Sequence, residues 1–206
     1  MRNTIVFDIG DVLMTFDNVA YLHRLFPDPN TVQHVFNAIW GSGYWDELDR
    51  GEDQEMMFGK MLEREPGFEE EIRIAFDRVG ECMSWRDYAI PWIRELKSRG
   101  YKVLYLSNYS HYGMKAKPEV LDFLPEMDGG IFSCDVHLIK PDPEIYHRLL
   151  KEYHLNPENC VFIDDREINV EAARKAGFHG ILFQTQQQAA EELEQVLKAA
   201  DAGQTL

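Results

Sequence analysis

Paired cysteines, cations and long apolar runs are what this sequence has least of. Its three cysteines, Cys82, Cys134 and Cys160, are isolated and odd in number, which speaks against a disulfide framework and for reduced thiols in a cytosol. No CxxC pair or Cys/His cluster supports zinc. Lys and Arg number 21 against 36 Asp and Glu, a formal charge of −15. Nucleic acid is gripped through cations on its phosphates, and no basic patch exists here, so that partner is excluded and an anionic membrane is disfavoured. The amino-terminal apolar run is short and broken by Asp8 and Asp11, unlike a signal peptide, and no stretch is long enough to span a bilayer. A cytoplasmic protein is the expectation. The histidines His23, His34, His111, His137, His147, His154 and His179 show neither triad spacing nor metal-ligand clustering; surface or packing roles are expected for each, His23 and His111 being the two within reach of a pocket. There is no internal repeat.

What is present is a sizeable chain of 206 residues, enough for one domain with an insertion or two small domains. Residues 4–7, Thr-Ile-Val-Phe, read as a buried strand that runs into Asp8-Ile9-Gly10-Asp11. Taken alone, Asp8 fits a turn cap as well as a functional carboxylate. Two later apolar runs end the same way: 103–106 in Ser107-Asn108, and 161–163 in Asp164-Asp165, with Lys140-Pro141 between them. Residues 17–86 read differently, with helical spacing at 18–26, 31–40 and 54–64 and turns at Pro27, Gly41 and Pro66. Further on, strands are expected at 102–106, 131–133, 160–163 and 180–183. The alternating helices are expected at 91–99, 111–124, 144–153, 167–176 and 189–200. Such alternation predicts an α/β fold, a parallel sheet with helices on both faces, plus a small helical insertion.

In that order, Asp8, Ser107-Asn108, Lys140 and Asp164-Asp165 closely resemble the haloacid dehalogenase-like hydrolase superfamily, whose members are mostly phosphatases. The resemblance spans nearly the whole chain. It implies a Rossmann-like core, here 1–16 and 87–206, with the first strand central, and a helical cap, here 17–86, that closes over the site and selects the substrate. Tyr44 and Trp45, beside the Gly41-Ser42-Gly43 loop, are the cap aromatics expected to face a pocket.

Phosphoryl transfer needs an in-line nucleophile and compensation for the charge on the phosphoryl oxygens. Asp8 is the candidate nucleophile, attacking a phosphomonoester to give an aspartyl phosphate. The resemblance implies Mg2+, and Asp8, the Gly10 carbonyl and one or both of Asp164 and Asp165 offer it oxygen ligands. Two adjacent acids at a strand end also fit a helix cap, though a divalent ion would relieve their repulsion. Asn169, one helical turn on, is expected to orient Asp165. Ser107 and Asn108 offer donors to phosphate, and Lys140 is the cation that neutralises both Asp8 and the phosphate.

Gly10 departs from the family pattern, which has an acid/base aspartate two residues after the nucleophile; the next acid, Asp11, is the candidate catalytic substitute, with another group or water in that role, or slow turnover, as the alternatives. Sugar-phosphate phosphatases similar to this chain carry a comparable Asp-x-Gly. The leading expectation is a Mg2+-dependent phosphatase acting on a small phosphomonoester, such as a sugar phosphate, as a monomer or weak homodimer. Two alternatives stay open: a metal-free 2-haloacid dehalogenase using Asp8, for which Gly10 costs nothing, and a binding or regulatory protein that has lost turnover.

Overall fold

The computed structural model describes residues 3–201. Strand β1 (Thr4–Phe7) is buried along its length, with Ile5 and Phe7 feeding one apolar cluster and Val6 the other. It is the centre of a five-stranded sheet, flanked by β4 (Lys102–Ser107) and β6 (Cys160–Asp164), with β5 (Gly130–Phe132) and β7 (His179–Leu182) at the edges. All pairings are parallel, Thr4 lying opposite both Lys102 and Cys160. Strands of a parallel sheet are covered on both faces, which is why runs such as Val161-Phe162-Ile163 are apolar throughout rather than alternating. Helices α6 (Ala89–Ser98) and α11 (Gln186–Asp201) cover one face through Trp92, Ile93, Leu193 and Leu197. The other is covered by α9 (Pro143–Glu152) and α10 (Glu167–Lys175) through Ile145, Tyr146, Leu149 and Ala173. The fold is the expected α/β sheet with its first strand in the middle.

The helical stretch begins as read, with α1 (Asn18–Leu25), α2 (Pro29–Ile39) and α4 (Gln54–Arg64). Asp17, Asp28 and Asp53 cap them by accepting bonds from backbone N–H groups of the first turn. Their inward residues, among them Leu22, Val35 and Met61, join the same apolar cluster as Phe7. Two further helices, α3 (Tyr44–Asp49) and α5 (Glu69–Asp77), lie in stretches not singled out from the sequence. So does the antiparallel pair β2 (Met14–Phe16) and β3 (Met83–Trp85), which brackets the helices. Three-residue strands are too short to show alternation, so the reading of 17–86 as uniformly helical is corrected at β3.

Other boundaries shift for local reasons. The helix expected over 111–124 is α7 (His111–Ala116); Pro118 ends it, and the chain continues in two 3₁₀ turns, Pro118–Leu121 and Leu124–Glu126. Pro91 is the third residue of α6, not its first, where its missing N–H is still among those without an intrahelical acceptor. Ser133, expected to end a strand, opens the short α8 (Ser133–Val136). Asp142 caps α9 by accepting from the Glu144 N–H, with Pro143 first in the helix, as expected.

From β1 the chain builds outward through β4 to β5, then returns to β6 and β7 on the opposite side. A crevice opens at the carboxyl ends of strands where such a sheet reverses direction. Among the described residues, no helix is long and apolar enough to cross a membrane.

Candidate active site

Asp8 emerges at that crevice, directly after β1, and its carboxylate is held from below. The Ile9 N–H donates to Asp8 Oδ1 at 2.7 Å, and Lys140 Nζ lies 2.8 Å from the same oxygen. Both contacts fall on Oδ1. Lys140 Nζ also donates to Asp164 Oδ2 at 2.7 Å, so one ammonium, 2% exposed, links the ends of β1 and β6. Burial opposes that charge, but Asp164 and Asp8 outweigh it and raise the ammonium above its ordinary value. Burial pushes the Asp8 carboxyl up to about 7, with Lys140 pulling against it and Asp164 adding to the rise.

Asp164 is saturated with donors. Beyond Lys140, it accepts from the Arg166 N–H at 2.9 Å and from Asn169 Nδ2 at 3.0 and 3.1 Å. Asn169 therefore orients Asp164, not Asp165 as its spacing had implied, because α10 turns its first buried face back under the strand end. Asp165 is half-buried and lines the cavity, its carboxyl pushed up to about 6 by burial and then by Asp164 and Asp11. Oxygens of Asp8, Asp164 and Asp165 all lie within 4.8 Å of one another.

A cavity of about 200 Å³ opens above these groups, lined by Asp8, Gly10, Asp11, Asn108, Lys140 and Asp165 below and by Phe16, Trp45, Asp46, Asp49, Met83 and Tyr109 around its walls. Asn108 grips the Lys140 backbone, Nδ2 donating to its carbonyl at 3.0 Å and Oδ1 accepting its N–H at 2.8 Å. Its amide is thus spent on positioning Lys140. Ser107, 1% exposed, is not itself in the cavity lining, but its hydroxyl has no hydrogen-bond partner. Asp11 has left-handed backbone (φ 54°) and accepts the Phe16 N–H at 3.0 Å, with Arg86 3.7 Å away. Its carboxylate holds the turn into β2. Gly10 lines the cavity, and a Cβ there would meet nothing within 4 Å.

A family model for haloacid dehalogenase-like hydrolases matches residues 3–177. The chain belongs to that family. This haloacid dehalogenase-like hydrolase is 26% identical over 181 residues to sesquiterpene phosphatase astK of Aspergillus oryzae, covering 85% of this chain and 87% of astK. In fold it is similar to the HAD family enzyme BT-2542 of Bacteroides thetaiotaomicron, solved with magnesium and inorganic phosphate: TM-score 0.68, 18% identity, 90% of this chain and 96% of that one. It is likewise similar to L-2-haloacid dehalogenase of Xanthobacter autotrophicus, solved with chloropropionic acid covalently bound: TM-score 0.62, 18% identity, 95% of this chain and 83% of that one.

Of the two cap aromatics singled out, Trp45 lines the cavity and packs on Phe16 at 5.8 Å between ring centroids. Tyr44 is not in the lining; its ring lies under Lys60. Successive helical residues point about a quarter-turn apart, so only one of the pair faces inward. His111 does not line this cavity either. It pairs with Asp135 at 3.1 Å, near the buried Cys134, a grouping of three ligand types within 4.8 Å that no sequence spacing signals. Among the lining residues that sequence reasoning missed are Asp46, Asp49, Phe16, Met83, Tyr109 and Arg166. In a chain with 36 acids, nothing local marks Asp46 and Asp49 as inward-facing. The carboxylates present suit a hard divalent cation such as Mg2+, which prefers oxygen donors, and the orphaned Ser107 hydroxyl suits a ligand oxygen.

Proposed function

We propose that this hydrolase is a Mg2+-dependent phosphatase that cleaves a small phosphomonoester through an aspartyl phosphate on Asp8. The observation that carries this reading is the buried lysine lodged between Asp8 and Asp164, 2.8 and 2.7 Å from them, beside a third carboxylate. Such a cluster carries excess negative charge before any phosphate arrives, and it fits a site completed by a divalent cation.

Asp8 Oδ1 is occupied by Ile9 and Lys140, which leaves Oδ2 as the nucleophile. Oδ2 attacks phosphorus, the bond to the leaving oxygen breaks, and water later hydrolyses the aspartyl phosphate to regenerate Asp8. Lys140 orients Asp8 and offsets charge on the phosphoryl group; Ser107 donates to a phosphate oxygen. Asp8, the Gly10 carbonyl and Asp165 would hold Mg2+, with Asp164, its oxygens already accepting from Lys140, Arg166 and Asn169, contributing charge from beneath. Bound there, Mg2+ supplies charge neutralisation and keeps Asp8 ionised. Residues 17–86 act as the cap, contributing Trp45 to substrate selection. The wall formed by Phe16, Trp45, Met83 and Tyr109 supports a leaving alcohol with an apolar face, in keeping with the name of astK, alongside the sugar phosphates the Asp-x-Gly pattern implies.

The dehalogenase alternative needs no metal, so the Asp8, Asp164 and Asp165 cluster counts against it. The test is a phosphomonoester panel spanning sugar and prenyl monophosphates with Mg2+, with EDTA and with Asp8→Asn. Hydrolysis lost in both controls is expected. Hydrolysis that survives Asp8→Asn overturns the mechanism, dehalogenation that survives EDTA favours the rival, and inertness toward every ester favours a binding protein.

A further inference from the structure

We propose that Asp49 is the acid that protonates the departing alcohol and the base that activates water, in place of the carboxylate absent at Gly10. The inference rests on the phosphatase reading and assigns the proton transfer that reading leaves without a residue.

Three observations converge on Asp49. It lines the cavity that Asp8 floors, it is 7% exposed, and its carboxyl makes no hydrogen bond to any described residue. A buried carboxyl normally finds donors, and one without them is built for a partner that arrives with the substrate. Its backbone, by contrast, is clamped to the sheet domain. Ser133 Oγ donates to the Asp49 carbonyl at 2.5 Å, and His137 Nδ1 lies 2.8 Å from the Arg50 carbonyl. Gly51, at φ +91°, packs so close to α8 that a Cβ would meet the Cys134 carbonyl oxygen at 2.7 Å. A group that must meet a leaving oxygen within a few tenths of an ångström needs such anchoring.

The competing carboxylate, Asp11, is held by the Phe16 N–H with its side chain 43% exposed. The surroundings of Asp49 also favour its protonated form, the one an acid starts from. Burial, with Asp46 one turn earlier and Asp8 on the floor, pushes its carboxyl well above the ordinary range, and Lys140 opposes only in part. Tyr109 and Cys134 also face it, and burial raises both, so they stay neutral beside it.

In the first step the Asp8 Oδ2 bond to phosphorus forms as the bond to the ester oxygen breaks, and that oxygen takes the Asp49 proton. In the second, water bonds to phosphorus and returns a proton to Asp49, while the electron pair of the broken phosphorus–oxygen bond restores the Asp8 carboxylate.

The test compares two esters, with Mg2+, on the full chain. Nitrophenolate leaves without a proton, so Asp49→Asn should give a burst of one nitrophenolate per site from 4-nitrophenyl phosphate, followed by steady turnover slowed about 10²-fold or more. On an alkyl phosphomonoester it should lose about 10²- to 10³-fold with no burst of alcohol. The burst itself reports a folded site. Adding Gly10→Asp, at a position open to the cavity, should recover at least tenfold on the alkyl ester. Alkyl turnover by Asp49→Asn within threefold of the parent overturns the inference alone, as does a larger loss in Asp11→Asn. A parent chain inert toward both esters overturns the phosphatase reading as well.

Discussion

Lys140 is the residue on which the site's electrostatics turn, and its neighbours make the consequence of removing it specific. Lys140→Met preserves length and apolar stem but leaves Asp8 and Asp164 facing each other, buried, with no cation between them. Breaking a buried ion pair on one side costs about 3–5 kcal/mol, so urea unfolding without metal should shift by that order, and Mg2+ should recover part of it. An unchanged midpoint would mean that the ammonium is not the group compensating these carboxylates. Trp45→Ala, on the cavity wall, should raise KM several-fold for esters with bulky apolar alcohols while leaving KM for a small ester nearly unaltered; equal changes for both would remove Trp45 from substrate selection. At this scale the sequence was informative where side chains end buried strands, as at Asp8 and Asp164, because a polar group there interrupts an apolar run. It misled where the choice lay between neighbours: Asn169 reaches Asp164 instead of Asp165, and Trp45 turns inward while Tyr44 does not.

Helix α3 is the element that joins the inserted helices to the crevice, and it is short. It starts after Gly43 in left-handed backbone with no side-chain cap, and ends at Gly51 against α8. Six residues held at both ends by glycine geometry present no helical periodicity, so only packing defines them. Gly51→Ala puts an L side chain into left-handed backbone, about 1–2 kcal/mol from the backbone alone, and adds a clash with the Cys134 carbonyl. Thermal or urea unfolding should register that loss, and alkyl ester turnover should fall further than the nitrophenyl burst because Asp49 moves with the helix. A variant as stable as the parent would show that the α3–α8 contact is slack. Helices α1, α2 and α4 were legible because each has a carboxylate cap and an apolar stripe, signals that survive without knowledge of the tertiary fold.

Across the whole molecule, −15 formal charges meet a site that gathers several more acids than cations. Asp8 is pushed up to about 7 and Asp165 to about 6, above the ~4 of an unfolded carboxylate. The folded protein therefore holds protons that the unfolded chain has released. Their contribution is fully present below pH ~4 and is lost as pH rises through about 6 to 7. In EDTA, Tm should fall between pH 5 and 7.5 on account of these groups, and Asp8→Asn should weaken that dependence. Mg2+ binds the ionised forms, so its stabilisation should be larger at pH 7.5 than at pH 5. Equal increments at both pH values would remove the ion from these carboxylates.

Sequence alone determined the parallel sheet and the order of Asp8, Ser107, Lys140 and Asp164, because strand burial and terminal polar residues are local patterns; the central place of the first strand was implied by the family resemblance those residues carry. Only the tertiary structure decided which acids share the crevice, that Asn108 is spent on the Lys140 backbone, and that Asp49 arrives from a helix invisible in the sequence. Those outcomes depend on how α3 seats against α8 and on which way each side chain turns, and no spacing along the chain encodes a contact between segments 84 residues apart, as Ser133 and Asp49 are.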